Sequence, residues 1–422
     1  MERVPGMISL LFGKPNGSMF PFTSFTFKAK SPYPADKSDP SKDAESEMEL
    51  TIEGAELDEA LQYYQTAGLH RLLDWLTRLQ EVSHTGRKLQ EGSAVASQAG
   101  LQDPRWRVSI GAGSQDLIFK ALANIFDPGD SILVESPVYA GVIPMFSTYQ
   151  LEVVPVLTDS EGIQADSLEQ ILSTWPAGKP KPKGLYTVPF GCNPTGASAT
   201  LERRKKVLNL AREHDFMILE DDPYFYLYFG DAPRAPSYFS LDETRSRVLR
   251  FDSLSKVLSA GIRIGWMTGP PVLLEVIEMH TEISNLQTST LTQAIVHKLL
   301  VQWGIEGFLR HTEKVAAFYR RKRDVFESAM KKHLSGVAEW SPPQAGMFYW
   351  FKISDDSEAF VRARAFEEGV LALPGTAFIP EKGAKTGYVR AAFSIPTDAE
   401  VDEALRRFRR AYDKSVDAIS KN

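Results

Sequence analysis

From about Leu50 to Gly269 the chain alternates two textures, and this alternation limits its possible folds more than any other feature. Short apolar runs rich in β-branched residues stand beside turn signals: Val108–Ile110, Ser131–Val134, Leu151–Val156, Gly184–Val188, Phe216–Leu219, Val248–Phe251 and Ile262–Thr268. Longer amphipathic stretches, such as Gln115–Ile125 and Leu201–His214, separate several of them. Short strands alternating with helices predict an α/β domain on a mainly parallel central sheet. Ligands of such sheets bind beyond the carboxyl ends of the strands, where the connecting loops gather.

Three polar stretches, Lys28–Glu47, Gly86–Arg105 and Trp175–Lys183, read as exposed connections. After about Leu291 the texture changes to long helices, Thr292–Trp303 and Glu306–Lys332. Strands at Met347–Ile353 and Tyr388–Ser394 and a last helix at Ala399–Ile419 follow. The expected layout is an N-terminal segment (1–50) packing with the small domain, a large α/β domain (51–290) and a small C-terminal α+β domain (291–422). A chain of 422 residues has room for these units and for a core that needs no disulfides. It carries 48 Lys and Arg against 54 Asp and Glu, a net charge of −6, so it has no global attraction for nucleic acid or anionic lipid. One cysteine, Cys192, excludes an intrachain disulfide and a Cys-based zinc site, and no metal is expected. No apolar run reaches the length of a membrane span, and the N-terminus lacks the layout of a signal peptide, so the expected location is cytoplasmic.

Ser253-Leu254-Ser255-Lys256 follows an apolar strand and precedes Gly261-Ile262-Arg263-Ile264-Gly265. A partly buried lysine there has a lowered pKa and is able to form a Schiff base. The neighbouring hydroxyls and Arg263 are phosphate donors. An amine beside a phosphate site suggests pyridoxal 5'-phosphate, an aldehyde with its own anionic anchor. Its pyridine nitrogen needs a carboxylate, and Glu220-Asp221-Asp222-Pro223-Tyr224 places three acids at a strand end. Gly111-Ala112-Gly113-Ser114-Gln115 has the layout of a helix N-terminus that binds anions. Asn193-Pro194-Thr195-Gly196 follows another strand. Each segment alone also fits an ordinary turn or a solvated surface cation; their order and spacing together point to one site.

With these strings in hand, the sequence resembles the fold-type I, pyridoxal-phosphate-dependent class I aminotransferases, most of all the kynurenine/2-aminoadipate and fungal aromatic aminotransferase branch. The likeness runs from about Met7 to the C-terminus. It rests on MISLLFGKPNGSMFPF (Met7–Phe22), ALQYYQTAGLHRLLDWL (Ala60–Leu76), GAGSQ, ESPVYAG (Glu135–Gly141), NPTG, EDDPY, SLSK with GIRIGW, and AGMFYW (Ala345–Trp350).

The resemblance implies a large domain with a mainly parallel sheet between helices and a smaller α+β domain. It makes Lys256 the Schiff-base lysine and proton shuttle and pairs Asp221 with the pyridinium nitrogen. Asn193 and Tyr224 then contact the phenolic oxygen, and Tyr139 stacks on the ring. Ser114, Gln115, Ser253, Ser255 and Arg263 hold the phosphate, while Arg390 clamps the substrate α-carboxylate. Tyr63 reaches the neighbouring subunit's site in a homodimer. Phe348 faces either the core or the substrate. Gly13 and Lys14 stand near the substrate side chain, where Lys14 either attracts an acidic group or points to solvent. Relatives carry a longer N-terminal arm with a specificity arginine; here Arg3 is the only arginine before Arg71, and no such arm is expected.

The expected activity is transfer of the α-amino group of an aromatic amino acid or 2-aminoadipate to a 2-oxo acid such as 2-oxoglutarate, in a ping-pong scheme. Two other readings use the same residues: a lyase or decarboxylase with the same cofactor, and a non-catalytic regulator on the same fold.

Overall fold

In the computed structural model, which describes residues 13–34, 45–86, 103–381 and 383–420, the first long elements are two strands. β1 (Ser24–Pro34) and β2 (Glu45–Glu53) pair antiparallel, with Phe27 opposite Leu50. Both run into Lys28–Glu47, the stretch read from sequence as a connection. Strand alternation explains the difference: Phe25, Phe27 and Met48 turn inward, while Lys28, Lys30, Glu47 and Glu49 between them face out and mask the period of two. Those three apolar residues rest against the larger of two apolar clusters. Arg3 and Met7–Phe12 lie outside the described residues.

The alternating region forms one sheet of β3 (Arg107–Gly111), β4 (Ser131–Ser136), β5 (Glu152–Asp159), β6 (Gly162–Ile163), β7 (Gly184–Thr187), β8 (Met217–Asp221), β9 (Val248–Ser253) and β10 (Gly265–Gly269). Their order is β3-β10-β9-β8-β7-β4-β5-β6. The run β9-β8-β7-β4-β5 is parallel, whereas β10 runs against both its neighbours and β6 against β5. Strands β7, β9 and β10 are buried at every residue, as expected of strands covered on both faces.

Helices α1 (Ser114–Ile125), α2 (Leu201–His214) and α3 (Pro271–Ser284) flank this sheet. α2 begins where the Thr200 side chain accepts the Arg203 N–H and ends at Asp215 in the left-handed conformation. The two long helices read from sequence are both present and run end to end as α4 (Thr290–Leu334), parted by a bend at Gly304, whose φ of +67° is not helical. Before the bend α4 meets the hairpin, where the Tyr33 hydroxyl donates to Trp303 O at 3.3 Å. After it, Phe326, Met330 and Leu334 enter the second apolar cluster. That cluster lies under β11 (Glu339–Trp340), β12 (Phe348–Lys352), β13 (Leu373–Pro374) and β14 (Tyr388–Ala392), ordered β11-β12-β14-β13, and under the last helix, α5 (Asp398–Ser420). Among the described residues no helix is long and apolar enough to cross a membrane.

Candidate active site

The carboxyl ends of β8 and β9 are neighbours in the parallel run and deliver the acids and the lysine to one place. Strand alternation gives the three acids of EDDPY different fates. Glu220 accepts the N–H groups of Tyr238 (2.8 Å) and Phe239 (3.0 Å). Asp222 accepts from Arg250 Nη1 at 2.8 Å. Asp221 between them faces the cavity; the Tyr186 hydroxyl donates to its Oδ2 at 2.6 Å, and its buried Oδ1 has no partner. Burial pushes the Asp221 carboxyl up to about 7; the Tyr186 hydroxyl opposes this, and the charges of Asp222 and Asp252 add to it. Arg250 keeps that repulsion in check. Wholly buried, it also grips Asp252 through Nε (2.9 Å) and Nη2 (2.7 Å).

Lys256 ends a single 3₁₀ turn after β9. Burial, then the nearby Arg263 guanidinium, lowers its pKa, while Asp221 acts against them. Arg263 adopts φ +51° and aims its guanidinium back across the turn. Nη1 donates to Ser255 Oγ at 3.0 Å and Nη2 to Ala112 O at 3.1 Å. This places the arginine, Ser253 and Ser255 beside the first turn of α1. The N–H groups there have no intrahelical acceptor and favour an anion. Gln115 Nε2 donates to Gly141 O at 3.1 Å, joining that turn to the loop of Tyr139.

The small domain closes the other side. Arg390 Nη1 donates to Asn193 Oδ1 at 3.0 Å, which leaves the Asn193 amide N–H₂ to donate into the cavity. The Arg390 guanidinium lies 4.3 Å from the Phe348 ring centre and 5.0 Å from that of Phe378, and its Nε is buried without a partner. Tyr224 meets Phe348 edge-on at 6.4 Å, and burial pushes its hydroxyl pKa far up, so it stays a neutral donor.

The result is a cavity of about 230 Å³ lined by Ser114, Gln115, Tyr139, Asn193, Asp221, Tyr224, Ser253, Ser255, Lys256, Arg263 and Phe348, with Val188, Pro223 and Ala260. Every residue assigned from sequence to the cofactor is in this lining, and Phe348 faces it although only 8% exposed. Arg390 stands at its edge through Asn193 and Phe348. Gly13, Lys14 and Tyr63 do not line it; they are exposed, with Lys14 Nζ donating to Tyr63 O at 3.2 Å. Of the larger concavities, one of about 510 Å³ along Trp340, Trp350 and Tyr388 has no lysine or arginine in its lining, and one of about 1020 Å³ has an exposed lysine, Lys352, with no buried carboxylate, so chemistry and not size selects the site. Sequence reasoning passed over Tyr186, Arg250 and Phe378. The one signal for the first was a tyrosine in an otherwise apolar strand, since a buried hydroxyl needs a partner.

The cavity fits pyridoxal phosphate on its own evidence. An unpartnered carboxylate oxygen suits a protonated pyridine nitrogen, an amine of lowered pKa suits the aldehyde, and a helix N-terminus with an arginine suits the phosphate.

Comparison with known proteins agrees. The model of the family described as aminotransferase class I and II matches residues 89–408. Aminotransferase tdiD of Emericella nidulans is 40% identical, covering 98% of this chain and 91% of its own. The mitochondrial kynurenine/alpha-aminoadipate aminotransferase of Bos taurus is 39% identical over 99% of this chain and 94% of its own. The crystal structure of Pyrococcus horikoshii kynurenine aminotransferase, in complex with PMP, kynurenine and its product, superposes with a TM-score of 0.76 at 30% identity, covering 85% of this chain and 84% of that one.

Proposed function

This chain belongs to the class I and II aminotransferases and is a pyridoxal-phosphate-dependent transaminase; from that premise we propose that it moves the α-amino group of an aromatic amino acid or 2-aminoadipate to a 2-oxo acid such as 2-oxoglutarate. The observation that carries the chemistry is the buried, unpartnered Asp221 Oδ1 in one cavity with the Lys256 amine. The donor class is supported by the bovine relative, named for kynurenine and aminoadipate, and by the P. horikoshii structure with kynurenine.

In this reading Arg390 grips the substrate α-carboxylate, held flat by Phe348 and Phe378 and with Nε free to complete a bidentate pair. Ser114, Gln115, Ser253, Ser255 and Arg263 would hold the phosphate, Tyr139 would cover the ring, and Asn193 and Tyr224 would donate to its phenolic oxygen. Lys256, uncharged more readily than a solvated lysine, takes the proton from the substrate Cα and returns it during transfer. Bound pyridoxal phosphate supplies the electron sink for the pair left at that carbon. Asp221 would hold the proton on the ring nitrogen, pairing its open Oδ1 with that N–H. A 2-oxo acid then accepts the amino group in the second half of a ping-pong cycle.

We read the active assembly as a homodimer. Val272, Val276, Met279 and Ile283 form an exposed apolar stripe along α3, at intervals of four, three and four residues. Just past that helix, Gln287 Oε1 accepts the Tyr64 N–H at 2.6 Å, tying the loop of Tyr63 to the segment that follows α3. Tyr63, with Gly13 and Lys14 beside it, then serves the neighbour's site, where Lys14 offers a cation to an acidic side chain. One cysteine in 422 residues fits a reducing compartment and supports the cytoplasmic reading.

Single-turnover rates with L-phenylalanine, L-kynurenine and L-2-aminoadipate test the donor, followed by loss of the near-visible cofactor band. One of these donors is expected to outpace L-alanine and L-aspartate at least tenfold. Comparable or faster rates with either small amino acid would remove the assignment.

A further inference from the structure

We infer that Tyr186 is a positioning residue of this site, whose hydroxyl selects the Asp221 oxygen that meets the pyridine nitrogen and fixes that carboxylate before the cofactor arrives. The inference rests on the role proposed for Asp221. Tyr186 lies on β7 next to β8, wholly buried, its ring edge-on to Phe146 at 6.3 Å between centres. Its hydroxyl donates to Asp221 Oδ2 at 2.6 Å, while Oδ1 stays open.

Burial and the Asp221 charge hold the Tyr186 phenol well above its ordinary range, so it acts only as a donor here. The other groups acting on Asp221 do not replace it. Asp222 and Asp252 repel its charge, and Arg250 spends its donors on those two. From the cavity side, Lys256, Tyr139 and Tyr224 interact with it through space. The Tyr186 hydroxyl is the donor that fixes the carboxylate among the described residues. It also stabilises the ionised form that the ring nitrogen's proton requires.

The test is Tyr186→Phe, Asp221→Asn and the double variant, as holoenzymes with excess pyridoxal phosphate. In the wild-type background Tyr186→Phe should weaken cofactor retention about tenfold, the worth of a hydrogen bond to a charged acceptor. It should also move the pH midpoint of the near-visible band upward by about one unit. The direction follows from charge: without the hydroxyl Asp221 is more basic, draws the ring nitrogen's proton toward itself, and leaves the Lys256 nitrogen the more basic end. In the Asp221→Asn background the same change should add little to either quantity. No change in the wild-type background, or an equal change in both, would overturn the inference. A wild-type protein with no near-visible band would instead remove the reading of Lys256 and Asp221 beneath it.

Discussion

Arg263 and Gly113 are fitted to one another so closely that a Cβ on Gly113 would stand 2.2 Å from the Arg263 guanidinium. Gly113 also holds φ +98°, a conformation that L side chains rarely adopt. The glycine therefore lets the arginine reach Ala112 O and stand over the first turn of α1.

Gly113→Ala should accordingly displace Arg263 at a cost of about 1–3 kcal/mol. Equilibrium dialysis against pyridoxal phosphate should show retention weakened by roughly 10–100-fold. Unchanged retention would mean the arginine does not serve the phosphate.

The Asp221 carboxyl makes a second, pH-dependent statement. Its folded pKa of about 7 stands above its ordinary value of 3.8, so between those values the folded cofactor-free protein binds more protons than the unfolded chain. Its contribution to stability is therefore greatest at low pH and is lost as pH rises toward 7. Cofactor-free Asp221→Asn removes that loss. By scanning calorimetry it should melt higher than wild type at pH 8 by about 2 °C or more, with the gap closing toward pH 5. A gap independent of pH would show that Asp221 is ionised throughout.

Arg390→Lys keeps a charge but loses the planar fork between Phe348 and Phe378. Steady-state kinetics should show kcat/KM for the amino donor reduced roughly 10–100-fold, with the cofactor band unaltered. A loss of the cofactor band with no effect on the donor would place Arg390 on the wrong ligand.

The exposed stripe of α3 gives a test of assembly. Met279 is 61% exposed and Ile283 87% exposed, so in an isolated chain a charge at either position costs little stability. Met279→Asp with Ile283→Asp should shift the species seen by sedimentation velocity from dimer toward monomer and lower activity with it. A wild-type protein that sediments as an active monomer would remove the proposed role of Tyr63.

What the sequence displayed was the part written in local signals. The amphipathic texture of Leu201–His214 marks that helix with no help from the rest of the fold, and its bounds are those of the structure. The order of SLSK, EDDPY and NPTG marked Lys256, Asp221 and Asn193 because those residues stand at or beyond the carboxyl ends of strands in one parallel run. Other features depend on distant partners. The strand read as Ile262–Thr268 begins at Gly265, because Arg263 turns left-handed to reach Ala112 across the sheet. Tyr186 looks like one more apolar strand residue until Asp221, thirty-five positions later, is folded against it. The β1–β2 hairpin stayed hidden because lysines and glutamates occupy its outer face.

The central claim is amino transfer through Lys256 in the Asp221 cavity, and an absorbance spectrum of the purified protein tests it most directly. Loaded with pyridoxal phosphate, it should show a near-visible band that an aromatic amino acid or 2-aminoadipate converts to the shorter-wavelength pyridoxamine band. Adding 2-oxoglutarate should restore the first, and Lys256→Ala should abolish the cycle. No band after loading, or a cycle unaffected by Lys256→Ala, would contradict the account.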